Sequence, residues 1–361
     1  MNQFLRFSVF QRASIFVIAI YFFVCILIAG QGIIVPIIYA TLFAIMLSPA
    51  INFLMHKGLH RALSIVITLL FAIAIIVVLF ILLSSQASHF SASLPILIDR
   101  FYILLDKAVN NISGSYLTAE AINNWITKTK MEVLNNLSSS LGSTLSAMES
   151  TLIIIFLVPV YIFMISFYQP LLMETIQKIS GKAHHEKVNE FLTCTKSLIK
   201  SYLTGLLIEF AIVAIMYSTG LLLIGIKYAI LLGIIGALLN IIPYLGGVIA
   251  VSFYMIIAFT TMDSSSVVWV LVLFVAVHFI DNSYIIPKVV ASKVKINALV
   301  AITAVLIGGA IWGFPGMFIS IPLTGVIKLI FDRIEILKPW GFLLGDTMPP
   351  IINLKISKSS K

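Results

Sequence analysis

Residues 229–261 read AILLGIIGALLN-IIPYLGG-VIAVSFYMIIAFTT, and the parsing of this stretch decides the fold. It carries no Asp, Glu, Lys, Arg or His. As one straight helix at 1.5 Å per residue it would reach about 50 Å, yet a bilayer core is only about 30 Å thick. The run Asn240–Gly247, with Pro243, Gly246 and Gly247, divides it into two apolar arms. Backbone polar groups in lipid must be satisfied within the segment, so both arms are helices. They form either a re-entrant hairpin or two full spans.

A second stretch repeats this organisation. Ile296–Trp312 and Phe314–Phe331 are apolar arms around Gly313-Phe314-Pro315-Gly316. Gly233-x-x-Gly236 precedes Ile242-Pro243 in the first stretch, and Gly313-x-x-Gly316 precedes Ile321-Pro322 in the second, offset by one residue. Opposed broken hairpins expose backbone groups near the membrane midplane, where transporters build solute sites. Pro243, Gly246, Gly247, Gly313, Pro315, Gly316 and Pro322 are therefore expected hinge positions, together with Pro287.

The rest of the chain is equally apolar. Of 361 residues 60% are hydrophobic and 10% charged, and the mean hydropathy is +1.12. Ala13–Gly30 is long enough to be a retained first span rather than a cleaved signal. Ile33–Met55 and Ala62–Leu83 are the second and third, within an N-terminal membrane segment 1–83. Residues 84–150 turn polar, with apolar positions at helical spacing and Thr118 as a candidate N-cap, and read as a small external helical domain. Span four is 151–168, followed by a Lys-rich amphipathic segment 169–201 read as a helix on the anionic inner leaflet. Residues 202–335 form a C-terminal core with the fifth span and both broken stretches, and 336–361 a basic tail. The expected fold is an all-α polytopic transmembrane bundle with two re-entrant hairpins and a small extramembrane helical domain.

Charge orients this bundle. With the N-terminus inside, 18 of the 23 Lys and Arg residues fall on the cytoplasmic side, including every short basic loop. Both termini are then cytoplasmic. The net charge of +9 serves orientation and anionic headgroups, not nucleic acid. Cys25 and Cys194 fall on opposite sides, which rules out their pairing.

Ionisable groups inside lipid mark function. Glu209 sits among Leu206, Leu207, Ile208 and Phe210 in the fifth span. Asp281 ends the apolar run Val267–Ile280, next to Asn282. Either carboxylate can hold H⁺ or Na⁺. The competing structural readings pair Glu209 with a neighbouring hydroxyl and Asp281 with Lys288. His278 lies one helical turn from Asp281 and Asn282, and reads as a packed histidine. His184-His185-Glu186 lacks metal-ligand spacing. No GxSxG, HExxH or Walker A motif is present, so no enzymatic activity and no cofactor are expected beyond a coupling Na⁺ or H⁺.

The motif-rich half resembles the autoinducer-2 exporter (AI-2E) family of permeases. The resemblance rests on Leu232–Gly246, on His278-Phe279-Ile280-Asp281-Asn282-Ser283-Tyr284-Ile285-Ile286-Pro287-Lys288, and on Trp312–Met317 with Ile321-Pro322-Leu323. Element order matches over nearly the whole chain. The family often has a polar residue after Gly205, where this chain has Leu206. The resemblance implies an inner-membrane transporter without ATPase activity, linked to export of autoinducer-2 or to Na⁺(Li⁺)/H⁺ exchange. It also implies homo-oligomers, suspected pentamers, and an elevator-like movement. Asn240, Pro243 and Gly246 fall in its first hairpin motif, and Asp281, Asn282 and Pro287 in its second. In this reading Asp281 and Asn282 bind the ion or solute, Asn240 offers polar groups, and Glu209 carries a proton. Three functions stay open: export of a small polar solute, monovalent cation/proton antiport, and a non-transporting scaffold that binds through 84–150.

Overall fold

The computed structural model describes residues 8–112, 128, 156–181, 185–242, 245–262, 264–290 and 296–347. Among these residues all regular structure is helical: α1 Val9–Ala29, α2 Gln31–His56, α3 Arg61–Ile112, α4 Phe156–Ser180, α5 His185–Ile224, α6 Ala229–Asn240, α7 Leu245–Thr261, α8 Ser264–Ile280, α9 Ala298–Phe331 and α10 Lys338–Leu344. A π-helical segment, Asp281–Val290, continues α8 directly. Among the described residues six helical runs are long and apolar enough to cross a membrane: α2, Arg61–Phe90, α4, α5, Ser265–Val289 and α9. The chain is a multi-pass membrane protein.

Helix α1 starts on a reciprocal cap, with Ser8 Oγ accepting from Gln11 N and Gln11 Oε1 accepting from Ser8 N. Helix α3 departs from expectation. It runs 52 residues without interruption, about 78 Å at 1.5 Å per residue, so the third span and the beginning of the 84–150 segment are one rod. Ser84–Ser93 change the solvent, but contain neither Gly nor Pro to end a helix, and Pro95 beyond them is carried inside it. The helix expected from Thr118 to Leu134 lies outside the described residues, Lys128 apart. The Lys-rich segment is helical and continuous with its neighbours. Residues 169–180 extend α4 and 185–201 lead into α5, and the two are tied by Gln177 Nε2 donating to Asn189 Oδ1 at 2.6 Å.

The two broken stretches enter the bundle from opposite ends of α5. Helix α6 follows the C-terminal end of α5 after a short turn, and α6 and α7 form the first hairpin. At 12 residues and about 18 Å, α6 is too short to cross the bilayer, so its C-terminal tip lies inside. The second hairpin has its base at the other end of α5, where Arg333 Nη2 meets Glu190 Oε1 at 2.8 Å. Helix α9 reverses at Gly313, whose φ of 63° and ψ of −146° are essentially closed to residues with a Cβ. Its two arms fold together: a Cβ built on Gly308 would collide with Ser320 Oγ and with the carbonyl of Gly316. In a continuous helix Gly308 and Ser320 would be about 18 Å apart.

Three apolar clusters hold these pieces. One joins α2, α3 and α4 through Ala40, Ile51, Ile65 and Ile162. A second joins α2, α5 and α9 through Leu42, Leu203, Leu206, Val305 and Ile319, and includes Ile242 from the first hairpin's tip. The third packs α5, α6, α7 and α8 around Tyr217, Leu232, Tyr254 and Val270. The extension of α3 clasps the base of the first hairpin. Gln86 Oε1 accepts from the Leu231 N–H, an otherwise unpaired first-turn donor, and the Tyr228 hydroxyl contacts Ser93 Oγ at 3.0 Å. Tyr228 holds a left-handed φ of 63° there.

Gly308→Ala and Gly313→Ala are each expected to destabilise the fold by about 1–3 kcal/mol. The check is the thermal midpoint of detergent-solubilised protein. Gly32→Ala, whose Cβ would meet nothing within 4 Å, should leave that midpoint unchanged; equal midpoints for all three variants would contradict the reversal at Gly313.

Candidate functional site

Helix α5 carries a buried stripe, Tyr202, Leu206, Glu209, Val213 and Tyr217, at spacings of three and four residues. This stripe faces the core, and Glu209 is its one charged member, 6% exposed. Above and below it α5 belongs to different clusters: Leu203 and Leu206 pack with α2 and α9, whereas Val213 and Tyr217 pack with α6, α7 and α8. Glu209 therefore occupies the seam between two apolar cores.

The tip of the first hairpin reaches this seam. Asn240 is the last residue of α6. Its Nδ2 donates to Asp281 Oδ2 at 2.8 Å and to Glu209 Oε1 at 3.4 Å. One amide thus bridges two carboxylates from two other helices. Asp281 is 2% exposed, and its second oxygen, Oδ1, is buried without a hydrogen-bond partner among the described residues. Removing a charge from water without full pairing is costly, so such a site persists where function requires it.

Asp281 is placed by a change in helix type. It is the first residue of the π-helical segment. Pro287, inside the same segment, lacks the N–H that would bond the Ser283 carbonyl in an α-helix. Single turns of π-helix are frequent at functional sites.

The glycines of the first hairpin serve close packing. A Cβ on Gly233 would collide with Ser218 of α5, one on Gly236 with the Tyr254 hydroxyl, and one on Gly246 with the Leu239 carbonyl. The Tyr254 hydroxyl donates to the Leu232 carbonyl at 3.0 Å. The echo between the two glycine pairs is thus one of composition, because Gly313 makes a reversal while Gly233 makes a contact.

Of the residues singled out from sequence, Glu209, Asn240 and Asp281 come together. Asn282 is exposed and donates from Nδ2 to the His278 carbonyl at 2.9 Å. Asp281 takes its bond from Asn240, while Lys288 lies over the Tyr284 ring at 5.9 Å. Pro243 lies outside the described residues. The break of the second hairpin sits elsewhere: Trp312 Nε1 donates to the Leu27 carbonyl, and the Tyr39 hydroxyl donates to the Pro315 carbonyl. Gly316 and Pro322 are buried in its second arm, whose Ile319 and Ile321 share a cluster with Ile242. The second hairpin thus flanks the first hairpin's tip without bringing its own break to the carboxylates. Two features escaped the sequence reading. One is the π segment. The other is the setting of Gly247, beside Asn240 and His278.

The chain belongs to the AI-2E family of transporters: the family described as "AI-2E family transporter" matches residues 15–336. "Putative transport protein YrrI" of Bacillus subtilis (strain 168) is 25% identical over 306 residues, covering 83% of this chain and 86% of the relative. "Putative transport protein YhhT" of Escherichia coli (strain K12) is 24% identical over 328 residues, covering 89% and 90%. "Putative permease PerM" of Escherichia coli (strain K12) is 26% identical over 133 residues, 37% of this chain and 38% of the relative. With its apolar helices, the family makes this a multi-pass membrane transporter.

The bridge implies an energetic coupling. In a double-mutant cycle of Asn240→Ala and Asp281→Ala, unfolding of the solubilised protein should show an interaction of about 1.5–3 kcal/mol, the range for hydrogen bonds to charged groups. Strict additivity would contradict the bond.

Proposed function

We propose that this chain is an ion-coupled secondary transporter that exports a small polar solute such as autoinducer-2 across the bacterial inner membrane, with both termini cytoplasmic. One observation carries the reading: a single amide at the tip of a broken hairpin bridges two buried carboxylates. Two like charges in a low-dielectric seam call for a compensating proton or cation. Whatever occupies a carboxylate lone pair competes with the Asn240 bond. Occupancy is thereby linked to how firmly the hairpin tip is held to α5 and α8. That link is what coupling requires, because an ion shifts a conformational equilibrium only through its differential interaction with the two states. A homo-oligomer and an elevator-like movement of the hairpin-bearing half are part of the same proposal and rest on the family resemblance.

A second reading makes the cation itself the cargo, Na⁺ or Li⁺ against H⁺. It is favoured by the composition of the site, which is two carboxylates and an amide. A non-transporting scaffold would have no use for buried carboxylates. No covalent step is assigned to any residue, and the proposed role is transport, not catalysis.

Reconstitution in liposomes loaded with a pH-sensitive dye separates the two transport readings. Proton movement on addition of Na⁺ or Li⁺ alone identifies antiport, and movement only with autoinducer-2 identifies proton-coupled export. Asp281→Asn should abolish either signal while leaving expression and assembly intact. Full activity of that variant would remove Asp281 from the mechanism.

A further inference from the structure

Helix α10 is folded back on the second hairpin. Its Gly341 is buried against the end of α9, where a Cβ would collide with Asp332 Oδ1. Four residues on, a Cβ on Gly345 would lie 3.3 Å from Lys328 Cε. The last carbonyls of α10 meet the start of α9. The Asn297 N–H donates to the Leu344 carbonyl at 3.2 Å, and Asn297 Nδ2 donates to the Leu343 and Gly345 carbonyls at 2.7 and 3.0 Å. From Gly341 to Gly345 the chain therefore returns from the level of Asp332 to that of Lys328, about 6 Å, across the bases of both arms.

That level is the edge of the bilayer core. Lys328 lies in the last turn of an apolar arm and pairs with Asp332 at i,i+4, and long basic side chains near the ends of membrane helices reach toward the interface. The glycine side of α10 faces α9. Its other sides carry Trp340, Phe342 and Leu343, each more than half exposed, and the turn before it carries Ile336, 86% exposed. At the same level α9 exposes Leu299 and Ile327. Tryptophan suits this depth, because its ring is apolar and its N–H needs a polar partner.

Charge would not hold the segment to anionic headgroups. From Asp332 to Asp346 there are three acidic residues and two basic ones, no polybasic cluster. Insertion of apolar side chains remains as the attraction. A stable protein partner would need about 20–30 residues on each side, whereas the exposed apolar side chains here are few.

We propose that residues 336–343 are an interfacial anchor, with Ile336, Trp340, Phe342 and Leu343 inserted at the boundary of headgroups and acyl chains beside the base of the second hairpin. Asn297 ties the anchor to α9, so the hairpin base is seated at the same depth. The anchor is independent of what the protein transports.

The test is spin-label accessibility of the full-length protein in phosphatidylcholine liposomes, in a background without Cys25 and Cys194. A nitroxide is placed on Trp340→Cys, on Leu343→Cys, which keeps the tryptophan, and on Glu186→Cys as an exposed reference. Oxygen concentrates in lipid, and a nickel chelate stays in water. Both α10 labels should be open to oxygen and shielded from the chelate, with the reverse at Glu186. Adding phosphatidylglycerol should change neither reading. Labels on α10 as open to the chelate as the one at Glu186 would overturn the anchor. Shielding from both reagents would also overturn it, and would mean a protein cover such as a second copy of this chain. Shielding that appears only with phosphatidylglycerol would overturn insertion by apolar side chains alone.

Discussion

One amide group organises the centre of this protein. Asn240 Nδ2 reaches carboxylates on α5 and at the start of the π segment, 31 and 41 residues away in sequence. The bond to Asp281 has the length of a charge-assisted hydrogen bond, while that to Glu209 is longer. Apolar residues of two clusters flank the bridge on either side. The helical arrangement can be read outward from it. Helix α6 must stop at Asn240, α7 must restart within a few residues, and α8 must change helix type at Asp281, for three polar side chains to meet in a seam between two hydrophobic cores.

The remaining elements fix the two ends of the hairpins differently. The first hairpin has its base clasped by the α3 extension, through Gln86, Ser93 and Phe90, and its tip held by the bridge. The second hairpin has its break held by α1 and α2, through the Leu27 and Tyr39 contacts, and its base tied to α5 by Arg333 and Glu190. Asn297, which caps α9, also binds the Leu343 and Gly345 carbonyls, so α10 closes that base. The bridge differs from these contacts in that its carboxylates are buried, whereas the carboxylate of the Arg333–Glu190 pair is exposed.

Much of this was legible in the sequence, for physical reasons. Glu209 and Asp281 stand out because charge in an apolar run is costly, and the Asn240–Gly247 break stands out because helices end where Pro and Gly interrupt them. The face that Glu209 presents was not readable, because the exposed Leu207, Ile208 and Ile215 of α5 are as apolar as the buried stripe. What joins Glu209 to Asn240 and Asp281 was not, because the partners come from different helices and local pattern carries no register between them. The π segment depends on hydrogen-bond register, which composition does not encode. The α3 extension shows a related confusion. Polar residues after Leu83 mark where lipid ends, whereas the helix itself ends only where its hydrogen-bond ladder is capped or broken.

The account depends most on the hairpin tip lying between α5 and the π segment within the bilayer. The direct measurement is paired-cysteine crosslinking in native membranes, in a background without Cys25 and Cys194, using a short thiol-specific bifunctional reagent. The account predicts efficient intramolecular linkage for Asn240→Cys with Asp281→Cys and for Asn240→Cys with Glu209→Cys, and none for Asn240→Cys with Gly313→Cys. Linkage of the tip to Gly313→Cys and to neither carboxylate position would contradict it.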